Sequence, residues 1–159
     1  MVLDPGSGKI EPLLETVYSE GFKGLNDLHF ASNGDLYFTD QGQTGVADPS
    51  GRVFRLRATG ALDRLAGNVP SPNGITLNTK NNQVYVAVTR AQQIWRLPLM
   101  ADGPPSKTGV AIQLSGGHAG PDGIEMDAED DLVVCHLGVG VWRFDANCLP
   151  THLVHAEGH

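Results

Sequence analysis

Three short stretches of this chain repeat one pattern. Leu25-Asn26-Asp27-Leu28-His29-Phe30, Pro72-Asn73-Gly74-Ile75-Thr76-Leu77 and Pro121-Asp122-Gly123-Ile124-Glu125-Met126 each place Asn or Asp before Gly or Asp, then alternate apolar and polar residues. Asn26 to Asn73 is 47 residues, and Asn73 to Asp122 is 49. Self-similarity at that period marks a repeat architecture, in which each unit buries its apolar face only by stacking on a neighbour.

The unit divides further. After the first strand (27–30, 74–77, 123–126) comes a polar turn, then a second strand at 36–39, 84–88 and 132–135. The third strand carries an aromatic-Arg-apolar trio in every copy: Phe54-Arg55-Leu56, Trp95-Arg96-Leu97 and Trp142-Arg143-Phe144. A fourth follows at 62–65, 110–114 and 152–154. Apolar runs are short and cut by Gly, Pro, Asn or Asp, and no long helical period interrupts them. Four short antiparallel strands at this spacing have the size of a propeller blade, and a sandwich would not align side-chain identities at such a period.

The expected fold is therefore an all-β β-propeller segment. It comprises three four-stranded blades at 24–67, 71–116 and 120–157, with residues 1–20 ending a preceding blade whose outer strand reads as Pro12 to Tyr18. Three blades do not close a ring, which takes four to eight. The two end blades would expose apolar side chains. Either the chain is a piece of a longer protein, or its open blade faces drive self-association.

Charge narrows the partners. The formal charge of −7 and the lack of basic runs exclude sequence-independent nucleic-acid binding. No stretch has the length of a membrane span, and Met1-Val2-Leu3-Asp4-Pro5 has no signal-peptide character, so the cytoplasm is the simplest compartment. Cys135 and Cys148 are no disulfide framework, and Cys135, inside an apolar run, reads as a buried thiol.

In a propeller the innermost strands border the channel, so residues at their starts face a common axial point. Asn26, Asn73 and Asp122 hold that position and offer two amide oxygens and a carboxylate. Hard oxygen donors of this kind suit one divalent metal ion, Ca²⁺, Mg²⁺ or Mn²⁺, with Zn²⁺ also compatible. The same dipeptides equally serve as turn formers, bonding only their own backbone. Loops following the second strands open on the same face and bring in Asp40, Gln41, Thr89, Arg90 and His136 as substrate contacts, His136 reading equally as a hydrogen-bonded structural residue. Arg55, Arg96 and Arg143 read as braces between strands.

Asn26-Asp27 with Tyr37-Phe38-Thr39-Asp40, then Ser71-Pro72-Asn73-Gly74, then Gly120-Pro121-Asp122-Gly123 resemble, in that order, the gluconolactonase/regucalcin/luciferin-regenerating-enzyme family. The resemblance runs from about Val2 to His155 and implies half of a six-bladed propeller with one catalytic divalent metal, Ca²⁺ foremost, in its channel. It implies a small-molecule lactone as substrate, with Asn73 and Asp122 matching metal ligands. Asp122 also matches the general base, and Asn26 matches a residue that touches metal or substrate. The family's remaining ligand, a glutamate of the first blade, has no counterpart, since Glu11, Glu15 and Glu20 fall in or beside the outer strand of the preceding blade. A non-catalytic metal-binding propeller scaffold stands as the competing expectation, because the fold serves many roles.

Overall fold

The computed structural model describes residues 1–100 and 105–155. Positions 101–104 of the second unit and 156–157 of the third lie outside the described residues. Two small hairpins open the chain: β1 (Val2–Leu3) with β2 (Ile10–Glu11), and β3 (Thr16–Val17) with β4 (Glu20–Gly21). The single strand expected from Pro12 to Tyr18 does not form. Pro12 has no N–H to give a ladder, and the chain then reverses at Tyr18 and Ser19, both at positive φ, as the tightest hairpin turns require.

Three four-stranded antiparallel sheets follow. The first is β5 (Leu25–Phe30), β6 (Leu36–Asp40), β7 (Gly51–Leu56) and β8 (Leu62–Val69). Next come β9 (Pro72–Leu77), β10 (Gln83–Val88), β11 (Gln93–Pro98) and β12 (Gly109–Gln113). The last holds β13 (Gly120–Met126), β14 (Leu132–Leu137), β15 (Gly140–Phe144) and β16 (Pro150–Val154). Each is a meander in sequence order, and the first strands stand side by side, β5 beside β9 beside β13. This is the β-propeller arrangement, with three blades and their inner strands lining one axis.

The core lies between blades. Tyr37, Val53, Leu65 and Val69 of the first meet Ile75, Leu77, Val86 and Leu97 of the second. Tyr85, Ala87, Ile94 and Ile112 of the second meet Ile124, Leu132, Val134 and Phe144 of the third. Strand alternation explains the division, because successive residues face opposite neighbours. The aromatic-Arg-apolar trio follows it: Trp95 and Leu97 point back to the preceding blade, as do Trp142 and Phe144. Arg55 braces β7 against β8 through Asp63 at 2.7 Å as expected, whereas Arg143 holds the turn after the last sheet's first strand through Asp127 at 2.8 Å, and Arg96 makes no ion pair among the described residues.

The end faces are bare. Leu28 is 57% exposed where its counterparts Ile75 and Ile124 are 1% and 7% exposed. Leu25 and Phe30 beside it are also open, although Val17, Leu14 and Phe22 of the leading segment cover Phe38 and Phe54. A groove of about 320 Å³ runs between that segment and β5. At the other end Cys135, Val141 and Val154 face solvent. The buried thiol expected at Cys135 is thus corrected: its position lies on the open face of the last sheet, and none of the described residues cover it.

Candidate functional site

Asn26, Asn73 and Asp122 are not in turns before strands; each sits in a β-bulge within one. Leu25 pairs with Asp40 and Leu28 with Phe38, so Asn26 and Asp27 together oppose the single residue Thr39. Pro72 pairs with Val88 and Ile75 with Val86, leaving Asn73 and Gly74 opposite Ala87. Pro121 pairs with His136 and Ile124 with Val134, so Asp122 and Gly123 oppose Cys135. A bulge bends the strand and re-aims a side chain, and it recurs next to functional sites. Here it occurs at the same place in all three inner strands.

Neighbouring bulges are tied to one another. The Asp27 carboxylate accepts the Ile75 N–H at 2.9 Å. Thr39 accepts the Asp27 N–H at 3.1 Å and donates its hydroxyl to the Asn73 carbonyl at 2.8 Å, joining the first bulge to the second. Thr89 donates to the Pro121 carbonyl at 2.7 Å, joining second blade to third. A Cβ on Gly74 would lie 2.5 Å from the Asp122 carbonyl oxygen, so the glycine lets the two backbones meet. The three candidate positions are thereby brought into one row.

Their side chains have the chemistry of an oxygen-donor site. Asn73 and Asp122 are half-buried, and among the described residues neither side chain has a hydrogen-bonding partner; Asn73 is held through its backbone carbonyl and Asp122 by its neighbour Pro121. The Asn26 amide nitrogen donates to Gln41 Oε1 at 3.0 Å, which leaves Oδ1 as its free donor atom. One carboxylate and two amide oxygens fit a hard divalent cation that keeps water in its remaining positions. No three His, Cys, Asp or Glu side chains cluster among the described residues, so the candidate set rests on a single carboxylate and the amide oxygens.

Two expected substrate contacts are buried and hydrogen-bonded within the described residues. Asp40 is fully buried and accepts the Lys23 and Gly24 N–H groups, each at 2.8 Å, and Arg52 Nε at 2.7 Å. Arg52 also holds Glu20 at 3.0 Å and the Gly21 carbonyl at 2.9 Å, and lies over the Phe54 ring. Asp40 therefore anchors the lead-in to the Asn26 bulge. His136 is 1% exposed; its Nδ1 accepts the Trp142 indole N–H at 3.3 Å, so Nε2 carries the proton toward the Gly116 carbonyl at 3.1 Å. Both ring nitrogens are spent. Further blades would only deepen this burial.

Two features were not anticipated. Thr39 and Thr89 act as inter-blade ties, and a polar tier lies three residues beyond the bulge residues. Thr76 donates to Glu125 at 2.8 Å and lies 3.4 Å from His29 Nδ1. The signal for the tier was present in the polar residue between the two apolar ones of each repeat: His29, Thr76 and Glu125.

A three-blade propeller segment whose inner strands each bulge at an oxygen-bearing residue defines the class, and sequence comparison agrees. The chain belongs to the SMP-30/Gluconolactonase/LRE-like family, which it matches over residues 1–151. It is 28% identical to the gluconolactonase of Zymomonas mobilis over 167 aligned residues, covering 94% of this chain and 47% of that protein. A gluconolactonase structure from Xanthomonas campestris superposes with a TM-score of 0.84 at 24% identity, over 98% of this chain and 55% of the other. Regucalcin from Agrobacterium tumefaciens, described as a calcium-binding protein, gives 0.71 at 27% identity, over 84% and 46%. The chain spans about half the length of the relatives it matches.

Proposed function

We propose that this chain forms the cation-holding part of a lactone hydrolase, with Asn26, Asn73 and Asp122 as ligands of one divalent metal ion, Ca²⁺ first, and with Asp122 as the base. The observation that supports it is the repeated bulge, which recurs at the oxygen-bearing residue of each inner strand, together with the Asn73 and Asp122 side chains that have no hydrogen-bonding partner among the described residues. A bound cation would polarise the lactone carbonyl and stabilise the oxyanion.

The residues of this chain have separate tasks. Asp122 is the only carboxylate among the three ligand positions, so it is the one able to take a proton from the attacking water. Asn26 and Asn73 contribute neutral oxygens, which leave the site's positive charge undiminished. The row of ties through Asp27, Thr39 and Thr89 keeps the donors fixed before substrate arrives, a preorganisation that costs no rearrangement during reaction. The substrate class follows from the gluconolactonase relatives. The blades that would close the ring and cover Leu25, Leu28 and Phe30 complete the pocket; burying each such side chain contributes roughly 1.5–3 kcal/mol.

Calcium titration of the chain and of its Asp122→Asn variant, paired with lactone opening followed by acid release in the ring-complete protein, tests this. Asp122→Asn should weaken the cation and abolish lactone opening with the fold intact; unchanged turnover sinks the mechanism. The scaffold reading draws on one observation: Glu20, the glutamate nearest the first bulge in sequence, is committed to Arg52 and supplies no ligand. It expects cation binding with no lactone opening in either protein.

A further inference from the structure

We propose that Gln41 is a positioning residue that decides which atom of Asn26 faces the cation. The inference rests on the cation reading above. Asn26 has one donor end and one acceptor end on a planar amide, and only the oxygen can bind a cation. Gln41 Oε1 accepts the Asn26 Nδ2–H at 3.0 Å, so the Asn26 oxygen is the end turned away from Gln41. Rotating the amide by half a turn would set an NH₂ group where a ligand oxygen is needed.

Gln41 is itself held at both its side chain and its backbone. Its Nε2 donates to Ser71 Oγ at 2.8 Å. Its backbone carbonyl accepts the Thr44 hydroxyl at 2.8 Å, and that same hydroxyl oxygen accepts the Ser71 N–H at 3.0 Å. Ser71 is buried, stands at φ 59° and leads directly into Pro72-Asn73. The loop after β6 thus links the residue that carries one ligand to the segment that carries the next. Gln41 acts through Asn26, as supporting partners do when they orient a metal ligand. It replaces the direct substrate contact expected of this side chain from sequence.

Gln41→Met, of similar length and neutral, removes both hydrogen bonds without adding charge near the cation. In the cation-free 159-residue chain, Asn26 side-chain NH₂ protons should exchange with water about fivefold faster in Gln41→Met than in the unmodified protein, as for one lost hydrogen bond. In Gln41→Glu, which keeps the acceptor and guards against a Met variant that folds poorly, they should stay protected. The Mn²⁺ dissociation constant should rise about tenfold in Gln41→Met. Added to Asn26→Ala, the same change should have no further effect, because the two act as a unit. Unchanged exchange in Gln41→Met overturns the proposal, as do losses that add in the double variant, or lost lactone affinity with unaltered Mn²⁺ binding. Absence of Mn²⁺ binding by the unmodified chain overturns the cation reading and, with it, the purpose assigned to Gln41. Binding with additive losses overturns the inference alone.

Discussion

Gly74 stands against the backbone of Asp122 so closely that any side chain at this position would collide with the next blade. Its Cβ would meet the Asp122 carbonyl oxygen at 2.5 Å and the Ile124 nitrogen at 2.7 Å, neither of which is a flexible side-chain end. Gly74→Ala should therefore separate the second and third blades and cost about 2 kcal/mol, in the range of overpacked cores. Gly123 holds the same place one repeat later, and there a Cβ would have nothing within 4 Å. Gly123→Ala should be silent in this chain and damaging where a further blade completes the ring. Urea unfolding of both variants, in the two contexts, reads the difference; equal effects in this chain would contradict the contact.

The buried Asp40–Arg52 pair gives a second prediction. Asp40 has no solvent exposure and Arg52 is 4% exposed, so removing one partner leaves a buried charge with weaker compensation: Arg52 keeps the exposed Glu20, and Asp40 keeps the Lys23 and Gly24 N–H groups. Asp40→Asn should destabilise the chain by about 3 kcal/mol. Arg52→Met should do likewise, and the double variant should lose less than the sum. Lactone affinity should change only as far as the Asn26 lead-in loosens. Wild-type stability combined with lost lactone binding would return Asp40 to the role of substrate contact.

These two cases show which parts of the molecule its sequence disclosed. Strand positions were legible because the aromatic-Arg-apolar trio recurs in register: Trp95 and Trp142 fall in β11 and β15 as expected. The all-β repeat followed directly. The bulges were not legible, because the Asn-Gly signal is shared by turns and the pairing of Ile75 with Val86 is a property of two strands. The burial of Asp40 and His136 was not legible for a related reason. Their places after a second strand are open in principle, and only the packed structure shows Arg52 and Trp142 consuming them. Cys135 sits in an apolar run that signals burial, yet its side chain lies on the open face of the last sheet, which one strand's sequence does not reveal.

Acid should weaken the bracing of the first blade. Burial alone would raise the Asp63 carboxyl, but hydrogen bonds from Arg57 and Arg55 outweigh it and hold the group below the ordinary aspartate range. A carboxyl lowered in the folded state contributes stability above the unfolded value of about 3.9, and that contribution is lost as the pH falls through the folded value. Asp63 is partly exposed, so screening limits the effect to about 0.5 kcal/mol. Asp63→Asn should cost that much at neutral pH and nothing in strongly acidic buffer, measured by urea unfolding at both. A cost that persists in acid would assign it to packing instead of charge.

The two cysteines report on the open end of the ring. Cys135 is exposed on β14, facing the side where a following blade would stack. Cys148 is half-buried beside Tyr85, and burial raises its thiol above the usual value, which lowers the fraction present as reactive thiolate. A maleimide or disulfide reagent at neutral pH should therefore modify Cys135 about tenfold faster than Cys148 in this chain, by access and thiolate fraction together. Mass spectrometry of partially labelled protein gives the order directly. Once blades cover the Val141–Val154 face, Cys135 should become the protected one while Cys148 is unchanged. Labelling that stays fast at Cys135 in the ring-complete protein would mean that this face is not where the next blade docks.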